Sequence, residues 1–323
     1  MAVARAVAIA GSAGSIGAIT SILSGLPASF PAPIFVVVHV GARGQDILSG
    51  IFDRAAQISV KTAEDNEPVR TGHAYVAPAD RHLLAIEGLC RLGRGPRENL
   101  SRPAIDPLFR SVGLGYGAGA IGVLLSGYMN DGAAGLMDLK RCGGQTVVQN
   151  PGDAEAPEMP LAALKANDID FRAPATDIAQ LLVRLLEAEP EASSAQWDDI
   201  ALEVEIALGR PLDSRLLEQI ATPSTFPCPA CGGVLSEIRR SPPLRYRCQV
   251  GHAYTGEVLA KDDGLDEAIG VALRIVDQRA TLTERLAEDA RQSGRRASAA
   301  EFVERSEELR GYADTLRRAA LNR

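Results

Sequence analysis

Short apolar runs alternate with segments of helical spacing through the first part of the chain. A strand buried on both faces of a parallel sheet is almost continuously hydrophobic, whereas a helix covering that sheet repeats its apolar residues every three or four positions. The predicted strands are 5–10, 34–39, 58–62, 120–126, 145–149 and 169–171, and the predicted helices are 15–25, 45–55, 106–115, 133–142, 159–166 and 176–188. This alternation predicts an α/β fold with a doubly wound, mainly parallel sheet. Extended segments at 74–77 and 83–86 predict a β insertion.

The composition changes after Leu186. The stretch from Glu187 to Ser194 is rich in Glu, Ala, Pro and Ser, which is typical of a domain boundary. We therefore predict four parts, which are a first domain over 1–187, a linker with short helices over 188–222, a small module over 223–260 and a helical tail over 261–323.

Apolar residues recur at helical spacing in the tail. They are Leu265, Ile269, Leu273 and Val276 before a break at Ser293 and Gly294, and Phe302, Leu309, Tyr312 and Leu316 after it. The pattern predicts two helices that form a hairpin. This hairpin could pack on the preceding module, or it could act as a coiled coil that dimerises or docks on a receptor.

The segment 91–102 is rich in Arg and Gly and carries few apolar side chains. Such a composition is typical of a solvated connection, so we expect an exposed loop. The alternative is that the loop borders the crevice of the sheet and meets an acidic substrate surface.

Composition narrows the class of protein. The chain has 323 residues, is 46% hydrophobic and carries a net charge of −7, which favours a core of ordinary size and argues against nucleic-acid binding. No apolar run approaches the roughly 18 residues of a membrane span, so we expect no membrane insertion. The five cysteines do not form a disulfide pattern, and we expect a cytoplasmic protein.

Polar residues follow three of the predicted strands. Ser12 lies in a glycine-rich turn between a strand and a helix, His39 ends the second strand, and Asp131 follows the strand 120–126. Sites in open α/β sheets form at the carboxyl ends of the strands, so a serine nucleophile, a histidine base and a carboxylate can converge there. A phosphate site in the turn after the first strand is the alternative, but the lysine of the P-loop motif is missing.

Several motifs resemble the chemotaxis protein-glutamate methylesterases of the CheB type over residues 1–187. They are Ile9–Ser15, Val38-His39, Gly72–Leu83, Arg102–Ser111, Ser126–Gly132, Gln149-Asn150-Pro151 and Met159-Pro160. The resemblance implies hydrolysis of glutamyl methyl esters with release of methanol, with Ser12 as nucleophile, His39 as base and Asp131 orienting the histidine. It implies no cofactor for catalysis, and an oxyanion hole formed by the backbone of His39 and Tyr128.

The resemblance also implies partners. They are methylated chemoreceptors or the helices of related signalling proteins, and possible histidine-kinase or methyltransferase partners. Family members usually carry a receiver domain before the esterase, whereas this chain begins at the first strand, so we expect a stand-alone esterase. Ala13, Ser15 and Tyr128 differ from the usual family residues. They motivate the alternative of a non-catalytic signalling adaptor that binds methylated receptor helices.

The small module contains metal-ligand spacing. Cys228 and Cys231 form a C-x2-C pair, and after sixteen intervening residues Cys248 and His252 form C-x3-H. Three thiolates and one imidazole on tight turns close a tetrahedral zinc site without an open position, so we predict a structural zinc in a zinc-knuckle-like module. From the sequence we expect chelation to unfold this module and to spare the esterase.

Overall fold

The structure is a computed structural model that describes residues 4–39, 45–188, 197–239, 242–261 and 264–321. Its strands are β1 (Ala6–Gly11), β2 (Ile34–Val38), β3 (Ser59–Thr62), β4 (Glu67–Pro68), β5 (His73–Val76), β6 (His82–Ile86), β7 (Leu89–Gly93), β8 (Ala120–Leu124), β9 (Gln145–Gln149), β10 (Phe171–Ala173), β11 (Ala221–Pro227), β12 (Val234–Ile238), β13 (Arg245–Cys248) and β14 (Ala253–Thr255). Its helices are α1 (Ser15–Gly25), α2 (Gln45–Ala55), α3 (Ile105–Tyr116), α4 (Ala133–Arg141), α5 (Glu158–Ala166), α6 (Ala175–Glu187), α7 (Asp198–Leu208), α8 (Ser214–Ile220), α9 (Gly256–Lys261), α10 (Gly264–Gln292) and α11 (Arg296–Leu321).

Seven strands form a central sheet in the order β10-β9-β8-β1-β2-β5-β3, and each neighbouring pair is parallel. Its two faces bury separate hydrophobic cores. Ile19 of α1 and Leu182 of α6 belong to one core, and Phe109 of α3 and Leu136 of α4 belong to the other. The predicted α/β fold with a mainly parallel sheet is therefore confirmed.

The segment 74–77, predicted to belong to the β insertion, instead falls on β5 of the central sheet, because it pairs in parallel with β2 and β3. The β insertion is a separate antiparallel sheet in the order β4-β7-β6, which includes the predicted segment 83–86. It leads into the segment 91–102, for which the prediction of an exposed loop is wrong. Glu98 is 1% exposed and Asn99 is 7% exposed. Both residues are buried because they make polar contacts with residues that come much later in the chain, as described below.

Residues 1–260 form one compact unit. The helix α7 follows a linker whose residues 189–196 lie outside the described residues, and it packs against the end of the β insertion. Gly95 donates its N–H to the carbonyl oxygen of Ala207 at 3.0 Å. A Cβ on Gly93 would lie 2.1 Å from the same oxygen, so this close approach of two backbones requires glycine. The domain limits drawn from the sequence stay a prediction.

The strands β11 to β14 form a four-stranded antiparallel sheet, in which β12 pairs with β13. A group of buried charges joins this sheet to α3, α4 and α7. The group comprises Arg110, Arg245 and Arg247 with Glu98, Asp138 and Glu203. Glu98 pairs with Arg110 at 2.7 Å and with Arg247 at 2.8 Å, and Arg247 also contacts Glu203 at 2.8 Å. We call these six residues the buried ionic cluster.

The second compact unit is the tail, residues 261–323. It is the expected helical hairpin, in which α10 and α11 pack over small residues such as Ala280 and Ala313, each with no exposed surface. Arg317 of α11 bonds both carboxylate oxygens of Asp277 on α10. Among the described residues, no helix combines the length and the apolar character that crossing a membrane requires.

Candidate active site

The site lies where the strand order of the central sheet reverses, between β1 and β8. β1 has β2 on one side and β8 on the other, so the chain leaves β1 and β8 toward opposite faces and opens a crevice at their carboxyl ends. Ser12 directly follows β1, and its N–H donates to the carbonyl oxygen of Ser126 at 2.8 Å. The serine predicted from the sequence is therefore at the edge of the sheet where α/β proteins bind ligands.

The turn that carries Ser12 is held by its neighbours. Gly14 has a φ of +74°, a conformation that glycine adopts without steric cost, and α1 begins at the next residue. Ser15 donates its hydroxyl to the carbonyl oxygen of Ser12 at 2.7 Å. A Cβ on Gly11 would lie 2.5 Å from Cβ of Ser15. These contacts hold the serine on a sharp turn between a strand and a helix.

His39 directly follows β2, next to β1. Its backbone N–H donates to the carbonyl oxygen of Gly11 at 3.1 Å, which extends the ladder between the two strands by one residue. His39 and Ser12 therefore lie side by side at the same edge of the sheet. Because the sheet already uses this N–H, we do not propose the His39 backbone as an oxyanion donor.

The side chain of His39 contacts Asp131. Nε2 of His39 lies 2.9 Å from Oδ2 of Asp131, although the ring N–H points away from a straight hydrogen-bond line. The histidine side chain is 17% exposed and the aspartate side chain 4% exposed. Two of the three strand-end residues are thus in contact in a largely buried setting, where electrostatic attraction is screened less than in water.

The carboxylate of Asp131 lies at the start of α3. Oδ2 accepts the N–H of Ile105 at 2.7 Å, and Oδ1 accepts an Nδ2 hydrogen of Asn99 at 3.0 Å and the N–H of Gly132 at 3.0 Å. Burial alone would raise the pKa of Asp131, but the contact with His39 and these donors lower it. Asp131 is therefore held as a carboxylate that can orient a histidine ring.

Asp106 is a second buried carboxylate at this place, and no role was assigned to it from the sequence. Its Oδ1 accepts the N–H groups of Gly132 and Gly135 at 3.0 and 2.6 Å, and its Oδ2 accepts the other Nδ2 hydrogen of Asn99 at 3.1 Å. Burial and the nearby charge of Asp131 raise the pKa of Asp106 to about 7. Its position in the first turn of a predicted helix was the signal that could have identified it.

The neighbours of Asp131 also contact the strand β14. Thr255 donates its backbone N–H to Oδ1 of Asn99 at 3.0 Å and its hydroxyl to Oδ1 of Asn130 at 2.8 Å. Nδ2 of Asn130 donates to Glu257 at 3.1 Å. No local sequence signal predicted these contacts, because they join residues more than a hundred positions apart.

Tyr128 occupies the loop between β8 and Asp131. This residue is 59% exposed. On either side of it, Gly127 donates its N–H to the carbonyl oxygen of Ala156 at 2.9 Å, and Met129, with a φ of +66°, donates to Glu158 at 3.3 Å. The loop is therefore fixed at both ends of Tyr128, which keeps its backbone near the crevice.

The four predicted metal ligands lie together. Ligand atoms of Cys228, Cys231, Cys248 and His252 all lie within 4.8 Å of one another. Sγ of Cys231 is 3.7 Å from Sγ of Cys248, and Nδ1 of His252 is 3.8 Å from Sγ of Cys228 and 3.5 Å from Sγ of Cys248. A tetrahedral zinc ion has ligand separations of about 3.8 Å between sulfurs and about 3.6 Å between sulfur and nitrogen. The four side chains fit such an ion.

The first part of the chain is similar to several known proteins. Residues 7–182 match the CheB methylesterase family. A relative from Leptospira interrogans is 40% identical over 182 residues, which covers 56% of this chain and 94% of the relative. A Yersinia pestis protein named protein-glutamate methylesterase/protein-glutamine glutaminase is 38% identical over 183 residues, which covers 55% of this chain and 52% of the relative. The chain thus aligns with about half the length of the Yersinia protein.

A solved structure agrees with these sequence matches. The CheB methylesterase catalytic domain of Thermotoga maritima superposes with a TM-score of 0.55 at 31% identity, and the match covers 56% of this chain and 98% of that domain. The resemblance found in the sequence motifs is confirmed by both comparisons. Since more than half of its length matches, the chain belongs to the CheB methylesterase family, a family of carboxylic ester hydrolases.

Proposed function

We propose that this protein hydrolyses glutamyl methyl esters on methylated chemoreceptors or related signalling proteins, with Ser12, His39 and Asp131 as its catalytic triad. The observation that carries the proposal is the 2.9 Å contact between His39 and Asp131 beside the strand-to-helix turn that holds Ser12. Family membership supports the reaction class. Histidine kinases and methyltransferases of the same signalling system are the partners that we expect.

In the first half of the reaction, Oγ of Ser12 attacks the ester carbonyl carbon and His39 takes the hydroxyl proton. With Nε2 directed to Asp131, Nδ1 is the ring nitrogen that is available as the base. The tetrahedral intermediate collapses when His39 returns the proton to the leaving methoxide, which departs as methanol. A glutamyl ester of Ser12 remains.

In the second half, His39 takes a proton from water, and the resulting hydroxide attacks the glutamyl ester. Return of the proton to Oγ of Ser12 releases a free glutamate side chain. The backbone N–H of Tyr128 is our proposed donor to the oxyanion in both halves, since the N–H of His39 is occupied in the sheet. The contact between His39 and Asp131 would straighten once substrate is bound, because catalytic hydrogen bonds often tighten only in the complex.

The same residues can act on an amide. The Yersinia relative is also named a protein-glutamine glutaminase. Attack of Ser12 on a glutamine side chain gives the same acyl intermediate, with ammonia as the leaving group instead of methanol. We include deamidation of receptor glutamines in the proposed function.

A structural zinc ion is the second part of the proposal. Cys228, Cys231, Cys248 and His252 supply four ligands, which leaves no open position for substrate or water. A bound zinc ion would supply folding energy to the sheet β11–β14 and no chemistry to the esterase. We assign catalysis to the triad alone, without a cofactor.

The test is methanol release from methylated receptor by the purified full chain. Ser12→Ala should abolish release while circular dichroism and thermal unfolding stay unchanged, because Ser12 is only half-buried and alanine keeps its backbone hydrogen bond to Ser126. A fluorophosphonate probe should label the wild-type chain and not the variant. Equal turnover by both proteins would overturn the proposal. A wild-type chain that binds methylated receptor but releases no methanol and takes no label would indicate the adaptor alternative.

A further inference from the structure

Thr255 bonds two asparagines that adjoin the catalytic aspartate. Its backbone N–H donates to Oδ1 of Asn99, and its hydroxyl donates to Oδ1 of Asn130. Asn130 precedes Asp131 in the chain, and Asn99 donates from Nδ2 to Asp131. All four residues are buried. A strand from the metal-binding part of the chain thus contacts the shell of residues around the triad.

We propose that Asn99 and Thr255 are positioning residues for Asp131, so that the sheet β11–β14 is a working part of the esterase site. The inference rests on the proposed function. It differs from the expectation drawn from the sequence, in which chelation spares the esterase. The contacts favour the opposite outcome, since disorder in β14 would release both asparagines.

Asn99 separates two carboxylates. Its Nδ2 donates one hydrogen to Asp106 at 3.1 Å and the other to Asp131 at 3.0 Å. Both carboxylates are nearly without solvent exposure, so their mutual repulsion is poorly screened. For both bonds to form, the amide plane must be fixed, and its oxygen is fixed by the N–H of Thr255. Loss of this donor would let the amide turn and Asp131 move relative to His39.

The position of Thr255 depends on the loop that carries the metal ligands. Cys248 donates its N–H to the carbonyl oxygen of His252 at 3.0 Å, which closes the loop directly before β14. Ala253, next to His252, accepts the N–H of Asn99 at 2.8 Å. Metal at the four ligands would therefore fix the backbone from 248 to 255 and, through it, Asn99.

The test compares Thr255→Val with Thr255→Ser in the full chain. Valine has nearly the same shape but no hydroxyl, so the bond to Oδ1 of Asn130 is lost in a buried place while the backbone N–H that bonds Asn99 stays, whereas serine keeps both bonds. Asn99→Ala tests the bond between Asn99 and Asp131 separately. Thr225→Val is the matched control, because Thr225 is an exposed threonine on β11 of the same sheet. The measurements are kcat and KM for methanol release, the rate of fluorophosphonate labelling of Ser12, and thermal unfolding.

We expect Thr255→Val to lower kcat and the labelling rate about tenfold to a hundredfold with KM unchanged, because displacement of a catalytic group by less than an ångström has effects of this size. Thr255→Ser should restore both, and Thr225→Val should match wild type. Asn99→Ala should lower kcat further. If Thr255→Val and Asn99→Ala retain wild-type kcat while Ser12→Ala is inactive, the inference fails and the proposed function stands. If Ser12→Ala keeps its turnover, the proposed function itself fails.

Metal removal gives an independent arm. Chelation of the full chain should slow fluorophosphonate labelling and abolish protection of the Thr255 amide against hydrogen exchange, and added zinc should restore both. Loss of exchange protection at Thr255 with an unchanged labelling rate would overturn the inference. If Thr255→Val does not fold, Asn99→Gln takes its place in the test. This variant keeps the amide on a longer side chain, and it should lower kcat without loss of the cooperative unfolding transition.

Discussion

Asp131 caps the start of α3, the helix in which Asp106 lies, and Asp106 caps the start of α4, the helix that Asp131 precedes. Asp131 precedes α4, yet its carboxylate accepts the N–H of Ile105, the first residue of α3. Asp106 lies in the first turn of α3, and its carboxylate accepts the N–H groups of Gly132 and Gly135 at the start of α4. Helix N-termini carry N–H donors without a partner inside the helix, so this exchange satisfies donors at the start of both helices. It also fixes the loop that presents Asp131 to His39.

Asp106→Asn should change how stability depends on pH. Burial and the charge of Asp131 raise the pKa of Asp106 from 3.8 to about 7. Between these values the native state binds more protons at this group than the unfolded state does. Its contribution to the free energy of unfolding is therefore full at low pH and is lost as the pH rises toward 7. Asparagine cannot titrate, so the stability difference between wild type and variant should fall from pH 4 to pH 7 in urea unfolding.

Asp80→Asn provides a control of opposite sign for the pH experiment. A hydrogen bond from Arg102 lowers the pKa of Asp80, which lies at the surface. Its contribution is present above the unfolded pKa and is lost as the pH falls. The stability difference between wild type and Asp106→Asn should therefore fall as the pH rises, whereas the difference between wild type and Asp80→Asn should fall as the pH falls. Parallel profiles would contradict the assignment of a raised pKa to Asp106.

Gly127→Ala should impair the reaction more than the fold. A Cβ on Gly127 would lie 2.9 Å from Cβ of Ser12 and 2.7 Å from Cε of Met159. The end of a methionine side chain can move aside, but Ser12 sits on a constrained turn and must shift. We expect methanol release to fall at least about tenfold, with a loss of about 1–3 kcal/mol in the free energy of unfolding.

Gly17→Ala is the matched control for this variant. Gly17 lies in α1, close to the same turn, and a Cβ there meets no atom within 4 Å. Alanine favours a helix over glycine by about 1 kcal/mol, so this variant should be slightly more stable and fully active. If Gly127→Ala releases methanol at the wild-type rate, the close packing of Gly127 on Ser12 has no part in the reaction.

The triad candidates could be identified from the sequence because each follows an apolar run that is typical of a buried strand. Ser12 and His39 occupy neighbouring strand ends as expected, and Asp131 contacts His39. The fold could be predicted for the same reason, since the hydrophobic patterns of strands and helices differ clearly in an α/β protein with a parallel sheet. These features depend on local patterns, which a single sequence displays.

The segment 91–102 was misjudged because polar residues are normally exposed, and their burial depends on partners elsewhere in the chain. Glu98 is buried against Arg110 and Arg247, and Arg247 lies 149 positions away. Strand β11 crosses the predicted boundary between the linker and the small module, and it contains Pro223, a residue that disfavours strands. Proline is tolerated there because β11 is an edge strand, where one unpaired position costs little.

Glu203→Gln should strongly destabilise the unit formed by residues 1–260. Glu203 is 3% exposed and contacts Arg245 and Arg247 at 2.8 Å. These arginines lower its pKa despite burial, so it carries its charge at neutral pH. The amide would leave buried guanidinium groups without full compensation, which costs about 3–5 kcal/mol when one partner of a buried pair is removed. Urea unfolding at pH 7 measures this loss.

Glu205→Gln is the control for the buried ionic cluster. Glu205 lies two residues further along the same helix, but its side chain is 47% exposed and pairs with Arg210 at the surface. Exposed pairs contribute at most about 1 kcal/mol, so this variant should unfold nearly as wild type does. Similar losses for both variants would show that the cluster adds nothing beyond an ordinary surface pair.

The full chain should contain one zinc ion. Around the four ligands, the apolar side chains of the sheet β11–β14 and of α9 form a small core that includes Leu235, Tyr254 and Val258. A core of this size supplies little folding energy, whereas coordination by three thiolates and an imidazole supplies a large share. Cys231→Ser should therefore lose the metal and the exchange protection of β12 to β14.

Cys142→Ala should retain the ion, since Cys142 is buried in the esterase part, away from the four ligands. Metal analysis and hydrogen exchange measure the two effects, and a metal-free chain with β12 to β14 still protected would contradict the structural role of zinc.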